Sequence, residues 1–473
     1  MKKILTPALV ALLFFSGCTL APRYIRPKNP VPAEWPQGEA YKKFQSQAVQ
    51  KVQGIPWQDF ITDPALRKII TKALANNRDL RLAALSVERA QAMYGIQRAS
   101  LLPSVNGSGG MAKERYSTDL IGADSSRTAE QYNLNLGIAA WEIDFFGRVR
   151  NLSDQALEEY LATEEARRSA ELALITQVAR AYLTLAADQE NLKLAQATLE
   201  NQQASYDLID KSYANGLATE LDLRRAQSAV ESARRDIPRF TQVVAQDRNA
   251  LNLLVGTFIE EDLLPSELSA IADLKEVDPG LPSAVLLNRP DVAAAEHKLQ
   301  GAYAYVGAAR ASVFPRISLT ASAGTASDEL SGLFGSGTGV WSFVPQLQMP
   351  IFDPRVWKAV QVSKVDQQIV LTQYEKTVQN AFKEVADALA VQGTIGDQLA
   401  AQEALVESAQ VTYELSDKRY TMGLDNYLSV LDAHRSLYAQ QQALISLRLA
   451  RLAHQVTLYG VLGGGQEKEK PIK

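Results

Sequence analysis

Residues 148–215 form a run of 68 positions with neither glycine nor proline. As a helix this run would reach about 100 Å at 1.5 Å per residue. Globular helices average about 11 or 12 residues, so the run dictates an elongated architecture. A second run of equal length, 355–422, is interrupted only by Gly393 and Gly396.

The two runs belong to copies of one unit. Shifted by 212, residues 76–103 match 288–315 without a gap, with ten identities in 28, among them Asn76/Asn288, Asp79/Asp291, Gly95/Gly307, Arg98/Arg310 and Pro103/Pro315. Shifted by 207, residues 206–223 match 413–430 at eight of 18 positions, including Tyr206/Tyr413, Tyr213/Tyr420, Gly216/Gly423 and Leu217/Leu424. The change of offset falls within 104–145, where loop length varies. A period near 210 is too long for a solenoid unit and reads as a duplicated half-protein.

Each half has the same order of elements. A helix, 65–102 or 291–314, is ended by Pro103 or Pro315. Two strand-like runs follow, in 104–145 and 316–352. The long helix then ends at Gly216 or Gly423, as a left-handed C-terminal glycine would end it. A return helix, 218–255 or 424–459, completes the unit. Repeat 1 therefore covers 63–256 and repeat 2 covers 291–460, with a connector at 257–290 and a tail from 461 to 473. Gly393 and Gly396 pair with Ala186 and Gln189, and Pro238 with Ile445, so the halves are expected to differ in bendability.

The helices carry heptad seams. Leu428, Leu431, Arg435, Tyr438, Gln442, Ile445, Leu449, Leu452, Val456 and Tyr459 keep a step of three and four. The opposite faces are polar, which suits helices side by side around water better than a solid bundle.

The strand runs alternate with period two. Tyr132, Leu134, Leu136, Ile138 and Ala140 oppose Asn133, Asn135, Gly137 and Ala139. Ile317, Leu319, Ala321 and Ala323 oppose Arg316, Ser318, Thr320 and Ser322. Trp341, Phe343, Leu347 and Met349 oppose Ser342, Gln346 and Gln348, although Pro345 and Pro350 are awkward in a strand. Runs of about ten residues, apolar outward and polar inward, are the mark of transmembrane β-strands, with a small soluble β-subdomain as the competing reading. Four strands cannot close, and only closed barrels cross a bilayer, so copies must join. Two copies give an eight-stranded barrel that side chains would fill; three give twelve strands, wide enough to conduct.

Lys2 and Lys3 followed by the largely apolar Ile4–Phe15 form a signal peptide over residues 1–17, ending at Ser16-Gly17-Cys18. Cys18 is the only cysteine, so no intrachain disulfide is available, and its place resembles a lipobox, with Thr19 rather than Asp after it. Acyl chains on Cys18 would anchor the mature chain. Pro22, Pro27, Pro30, Pro32 and Pro36 then forbid helix, and Tyr24 and Trp35 suggest that this strap, within 18–62, lies against something.

Charge excludes as much as pattern suggests. With 49 basic and 53 acidic residues, the balance gives no reason to expect a nucleic-acid binder. The scattered His297, His434 and His454 read as packed or surface residues, and no cofactor or metal site is evident. No nucleophile–base pairing points to an enzyme.

A lipidated Cys18, the run Cys18–Tyr24 with Arg26-Pro27, Asn288-Arg289-Pro290-Asp291-Val292, Phe314-Pro315-Arg316-Ile317-Ser318-Leu319-Thr320, and Tyr420–Asp425 followed by Leu431-Asp432-Ala433 together resemble the outer membrane factor (TolC-like) family, in particular its OprM-like multidrug efflux lipoproteins. One departure is Asp353-Pro354-Arg355, where a Gly-Gly pair is common. The resemblance implies a trimeric channel-tunnel, mainly helical. A twelve-stranded barrel would cross the outer membrane and a helical barrel would extend into the periplasm. It also implies a passive duct for drugs and other small toxic compounds. A periplasmic adaptor would couple it to an inner-membrane pump, commonly of the resistance-nodulation-division class. Gly216, Leu217, Ala218, Gly423 and Leu424 match the tips where adaptors dock. Asp222 and Tyr420 match positions that link neighbouring hairpins in a closed gate, and Asp425 and Asp432 match carboxylates that narrow the pore. Capping alone is the competing reading for Asp222 and Asp425. Polypeptide secretion or metal-ion efflux are the alternative cargoes within the family.

Overall fold

The computed structural model describes residues 19–41, 55–117, 128–271, 274–275, 277 and 286–464. The expected signal peptide, the expected lipid-bearing Cys18, most of the 117–127 loop and the end of the tail lie outside the described residues.

After a single helical turn at Trp57–Phe60, Asp63 caps α1 (Pro64–Asn76) by accepting a 2.7 Å hydrogen bond from Leu66 N, with Pro64 at the first helical position. α2 is Arg78–Ala99, β1 Val105–Arg115, β2 Thr128–Ile143, α3 Arg148–Ala214 and α4 Glu220–Val255. The second repeat supplies α5 (Pro290–Ala311), β3 (Arg316–Ser327), β4 (Gly339–Gln348), α6 (Pro354–Thr421) and α7 (Tyr427–Val461). The two unbroken rods, α3 and α6, run for 67 and 68 residues.

The expected helix 65–102 is two helices. Asn77 breaks it with an extended ψ of 132°. Its side chain accepts from Leu80 N at 2.8 Å, starting α2, and donates to Leu254 O at 2.8 Å. Gly256 makes room for this corner, since a Cβ there would stand 2.5 Å from Asn76 O. A partner 177 residues away thus overrides local helix propensity.

The repeats are not the compact units either. One unit comprises residues 1–28, 86–164 and 294–374; the other comprises 29–85, 165–293 and 375–473. Each draws on both repeats.

The first unit holds the antiparallel sheet, ordered β1-β2-β3-β4. Pairing is regular from Val105↔Ile138 to Arg115↔Thr128 and from Arg316↔Gln348 to Thr325↔Gly339. Between β2 and β3 the register shifts between Ile138 and Trp141, where Ala140 adopts φ 48° and its N–H donates to Thr320 Oγ1 at 3.1 Å. This bulge corrects the simple alternation: Ala140 leaves the apolar face, and Trp141 and Ile143 take its place. One face then carries Leu134, Leu136, Ile138, Trp141, Leu319 and Phe343, with Trp341 81% exposed. Pro345 sits opposite Leu319 on β4, an outermost strand, where proline is tolerated. Among the described residues no helix is long and apolar enough to cross a membrane.

The strap rests on helices in both units. In the first, Tyr24 Oη donates to Glu296 Oε1 at 2.9 Å, Arg26 forms a two-pronged pair with the same carboxylate at 2.8 and 2.7 Å, and the Tyr24 ring meets Tyr303 edge-on. Ala21 lies so close to Gly307 that a Cβ there would stand 2.7 Å away. In the second unit Trp35 stacks on Phe382 at 5.1 Å, and the Ala40 carbonyl occupies the space a Cβ on Gly393 would need. α6 runs unbroken through Gly393 and Gly396. Gly393 thus serves close approach of the strap rather than a helix break.

The core of the second unit gathers Val178, Leu183 and Leu185 of α3, Val385 and Leu389 of α6, Leu251 of α4, and Ile445, Val456 and Tyr459 of α7 around Ile69 and Ile70. α7 buries more than the expected narrow seam. A second stripe, Tyr427, Val430, His434, Leu437 and Leu444, is also buried, as a helix with a neighbour on each side requires.

Candidate functional site at the hairpin tips

The chain reverses at Gly216 and Gly423, with φ of 74° and 71°. In both, the glycine N–H returns to the residue three back (Tyr213 O and Tyr420 O, each 2.9 Å), and the next N–H returns five back (Leu217 to Ser212 O at 2.8 Å, Leu424 to Arg419 O at 2.9 Å). This is the Schellman closure. Nothing lies within 4 Å of a Cβ built on either glycine, so backbone conformation alone demands glycine. Leu217 and Leu424 are left 83% and 63% exposed, and Met422 67%. The tips are apolar knobs standing in solvent.

The two tips differ electrostatically. Thr219 caps α4: its Oγ1 accepts from Asp222 N at 3.2 Å and donates to Asp222 Oδ2 at 2.6 Å. The capping reading of Asp222 is therefore structurally satisfied, and Arg225 stands 3.9 Å from the other carboxylate oxygen. In the second repeat the cap position of α7 is Asn426, with no side-chain cap. Asp425 does not cap. It accepts from Arg419 Nε at 2.6 Å and Nη2 at 3.2 Å, and this guanidinium holds its carboxyl below the usual carboxylate range. Asp432, exposed in the second turn of α7, makes no ion pair or side-chain hydrogen bond among the described residues. The acidic set is thus a capped carboxylate, a neutralised one and a free one.

Asp222 and Tyr420 come from different hairpins and the fold brings them together. They are not hydrogen-bonded. Burial and the nearby Asp222 raise the Tyr420 hydroxyl above its ordinary pKa. Tyr427, whose ring meets Tyr420 edge-on at 5.5 Å, is pushed up to about 12, chiefly by burial. Beneath them Ile209, Ala226, Ala229, Val430 and Leu431 form a small apolar cluster that fastens the hairpins.

Polar struts continue the join. Gln202 Nε2 donates to His434 Nδ1 at 2.7 Å in a buried setting, and Tyr413 lies edge-on to His434 at 5.2 Å. Tyr438 Oη donates to Asp236 Oδ2 at 3.3 Å. Burial lowers the pKa of His434 and His454, while His297 Nδ1 donates to Glu158 Oε2 at 2.7 Å. His434 and His454 are buried packing residues, and His297 is part-exposed in its pair with Glu158. Arg419, Gln202 and Asp236 were not singled out from sequence, and Tyr438 was named only as a position of the heptad seam. The available signal was asymmetry between repeats: Arg419 aligns with Ser212, Asp236 with Ala443 and Gln202 with Ala409.

The Asn-Arg-Pro-Asp motif is a separate staple. Buried Arg289 donates to Val461 O at 2.9 Å, to both oxygens of Asp291 and to Glu384 Oε2 at 2.7 Å, so it ties the start of α5 to the end of α7.

Comparison with known proteins agrees with this geometry. The family model described as "Outer membrane efflux protein" matches residues 69–257 and 281–464. The chain is 46% identical over 468 residues to the toluene efflux pump outer membrane protein TtgC of Pseudomonas putida, covering 98% of this chain and 96% of TtgC. It is 39% identical over 465 residues to the cation efflux system protein CusC of Escherichia coli, covering 98% and 99%. The open state of the Neisseria gonorrhoeae MtrE outer membrane channel superposes with a TM-score of 0.85 at 35% identity, covering 95% of this chain and 98% of that one.

Proposed function

This chain belongs to the outer membrane efflux protein family, and from that premise we propose that three copies assemble into one gated, passive duct through which an inner-membrane pump expels small toxic organic compounds. The fold is that of TolC-like outer membrane channels, mainly helical with a small sheet. The observation that carries the trimer is the sheet. Its apolar face is solvent-exposed in the single chain, and β1 and β4 each offer an unpaired edge. A bilayer tolerates no open edge, and twelve strands make a conducting lumen where eight would fill.

The remaining roles follow from the tips. Leu217 and Leu424, with Gly216, Ala218 and Gly423 setting their turns, offer knobs to the helices of a periplasmic adaptor. Asp222, Tyr420 and Asp432, with Asp425 held by Arg419, form the periplasmic gate. Lipid on Cys18 anchors the strap in the outer membrane, and the pump is of the resistance-nodulation-division class. A strain lacking the gene should gain susceptibility to organic toxicants and regain resistance from the wild-type copy. Unchanged susceptibility together with lost export of a polypeptide, or with accumulation of a metal ion, overturns the cargo. A purified protein that sediments as a monomer overturns the duct.

A further inference from the structure

The polar face of the sheet is almost free of charge. It carries Ser108, Asn133, Asn135, Thr320, Ser322 and Gln346, and Ser322 and Ser342 share a hydroxyl hydrogen bond of 2.8 Å. At the strand-to-helix end of this face, each carboxylate already has its own guanidinium. Arg148 Nε and Nη2 donate to the two oxygens of Glu142 at 2.8 and 2.7 Å. Arg150 pairs with Asp144, and Arg355 with both oxygens of Asp353.

Arg316 is the exception. It opens β3 opposite Gln348, on the same face as Ser318 and Thr320, and it is exposed. Among the described residues it makes no ion pair and no side-chain hydrogen bond. Glu142, opposite Ser318 on that face, has both oxygens taken by Arg148, and Asp144, the next carboxylate just past β2 toward Arg316, is taken by Arg150. The position is held firmly: Phe314 stacks on Phe146 at 4.9 Å, and Pro315 fixes the intervening backbone. The duplication sharpens the point, because the counterpart of Arg316 at the same offset is Ser104. The cation belongs to one repeat only.

Resting on the trimeric duct proposed above, we infer that Arg316 is the charge-selecting residue of the β-barrel, three copies forming a guanidinium ring at its helix-side mouth that holds and favours anionic passengers. Rings of basic side chains select anions in pores because an uncompensated charge in a narrow lumen biases the ions beside it. A guanidinium also offers forked donors suited to phosphate-like and carboxylate groups.

The test uses full-length protein purified from membranes. Wild type, Arg316→Gln, Arg316→Lys and Arg316→Glu are compared in planar bilayers under a KCl gradient. Inorganic tripolyphosphate is titrated calorimetrically into the same samples. The chloride-to-potassium permeability ratio should fall severalfold in Arg316→Gln, fall further in Arg316→Glu and be kept in Arg316→Lys. Tripolyphosphate should bind wild type at about one per three chains and Arg316→Gln roughly tenfold more weakly. Where wild type passes no current, the titration decides alone. Equal affinity and equal permeability across the four proteins overturns the inference while leaving the duct standing. A wild-type protein that sediments as a monomer removes the duct, and the ring with it.

Discussion

Trp141 shares the apolar face of the sheet with Ile138, three positions back, because Ala140 between them takes a left-handed φ of 48° and donates its N–H to Thr320 Oγ1. Without the extra residue, strict alternation would turn Trp141 to the polar face. One bulge therefore keeps the outer surface of β2 apolar to its end.

That bulge predicts its own mutants. A β-branched side chain tolerates positive φ poorly, so Ala140→Val should destabilise the sheet by more than about 1 kcal/mol, while Ala140→Gly should be neutral or stabilising. Urea midpoints of the assembled protein read both. Equal midpoints for the valine and glycine variants would speak against a strained Ala140.

The duplicated glycines make a matched pair. A methyl at Gly307 would stand 2.7 Å from Ala21, whereas one at Gly95 meets nothing within 4 Å. Gly307→Ala should release the strap so that trypsin cuts after Arg23 much faster. Gly95→Ala should leave cleavage unchanged, with a helix gain of up to about 1 kcal/mol. Identical digestion of the two variants refutes the strap contact.

Asp247 on α4 faces Asp188 on α3, and its Oδ2 is buried without a donor. Burial first, then the Asp188 carboxyl, raises its pKa to about 6. A folded-state pKa above the unfolded one means stability is full at pH below about 4 and is lost as pH rises through about 6. This pair should therefore make the helical unit more heat-resistant at pH 5 than at pH 7.5. Asp247→Asn should raise the melting temperature at pH 7.5 and flatten that dependence. A melting curve in which the variant keeps the wild-type pH profile excludes the pair as the cause.

At the tips, Arg419→Gln frees the Asp425 carboxylate. The pair is exposed, so stability should change little. Cation permeability and leak current should both rise. Asp222→Ala combined with Tyr420→Phe should leak as well, since both polar groups of the proposed gate are removed. Single-channel recordings indistinguishable from wild type would remove these residues from the gate.

Sequence legibility followed the range of the interaction. The carboxylates Asp222, Asp425 and Asp432 could be named as gate candidates from the family resemblance, yet their states could not. Asp222 is held by Thr219 three residues away, a spacing visible in sequence. Asp425 is held by Arg419 six residues back across a glycine turn, and that pairing exists only once the turn has closed.

The two long rods, the glycine turns, the alternating strands and the duplication are legible in the order of the residues. All of these are written in neighbours a few residues apart, through backbone conformation and periodicity. The tertiary structure alone decided the break at Asn77, the phase shift at Ala140, the strap against Gly307 and Gly393, and the unneutralised Arg316. Each depends on a group brought from far along the chain, such as Leu254 to Asn77 or Thr320 to Ala140, and local propensity carries no information about where those partners arrive.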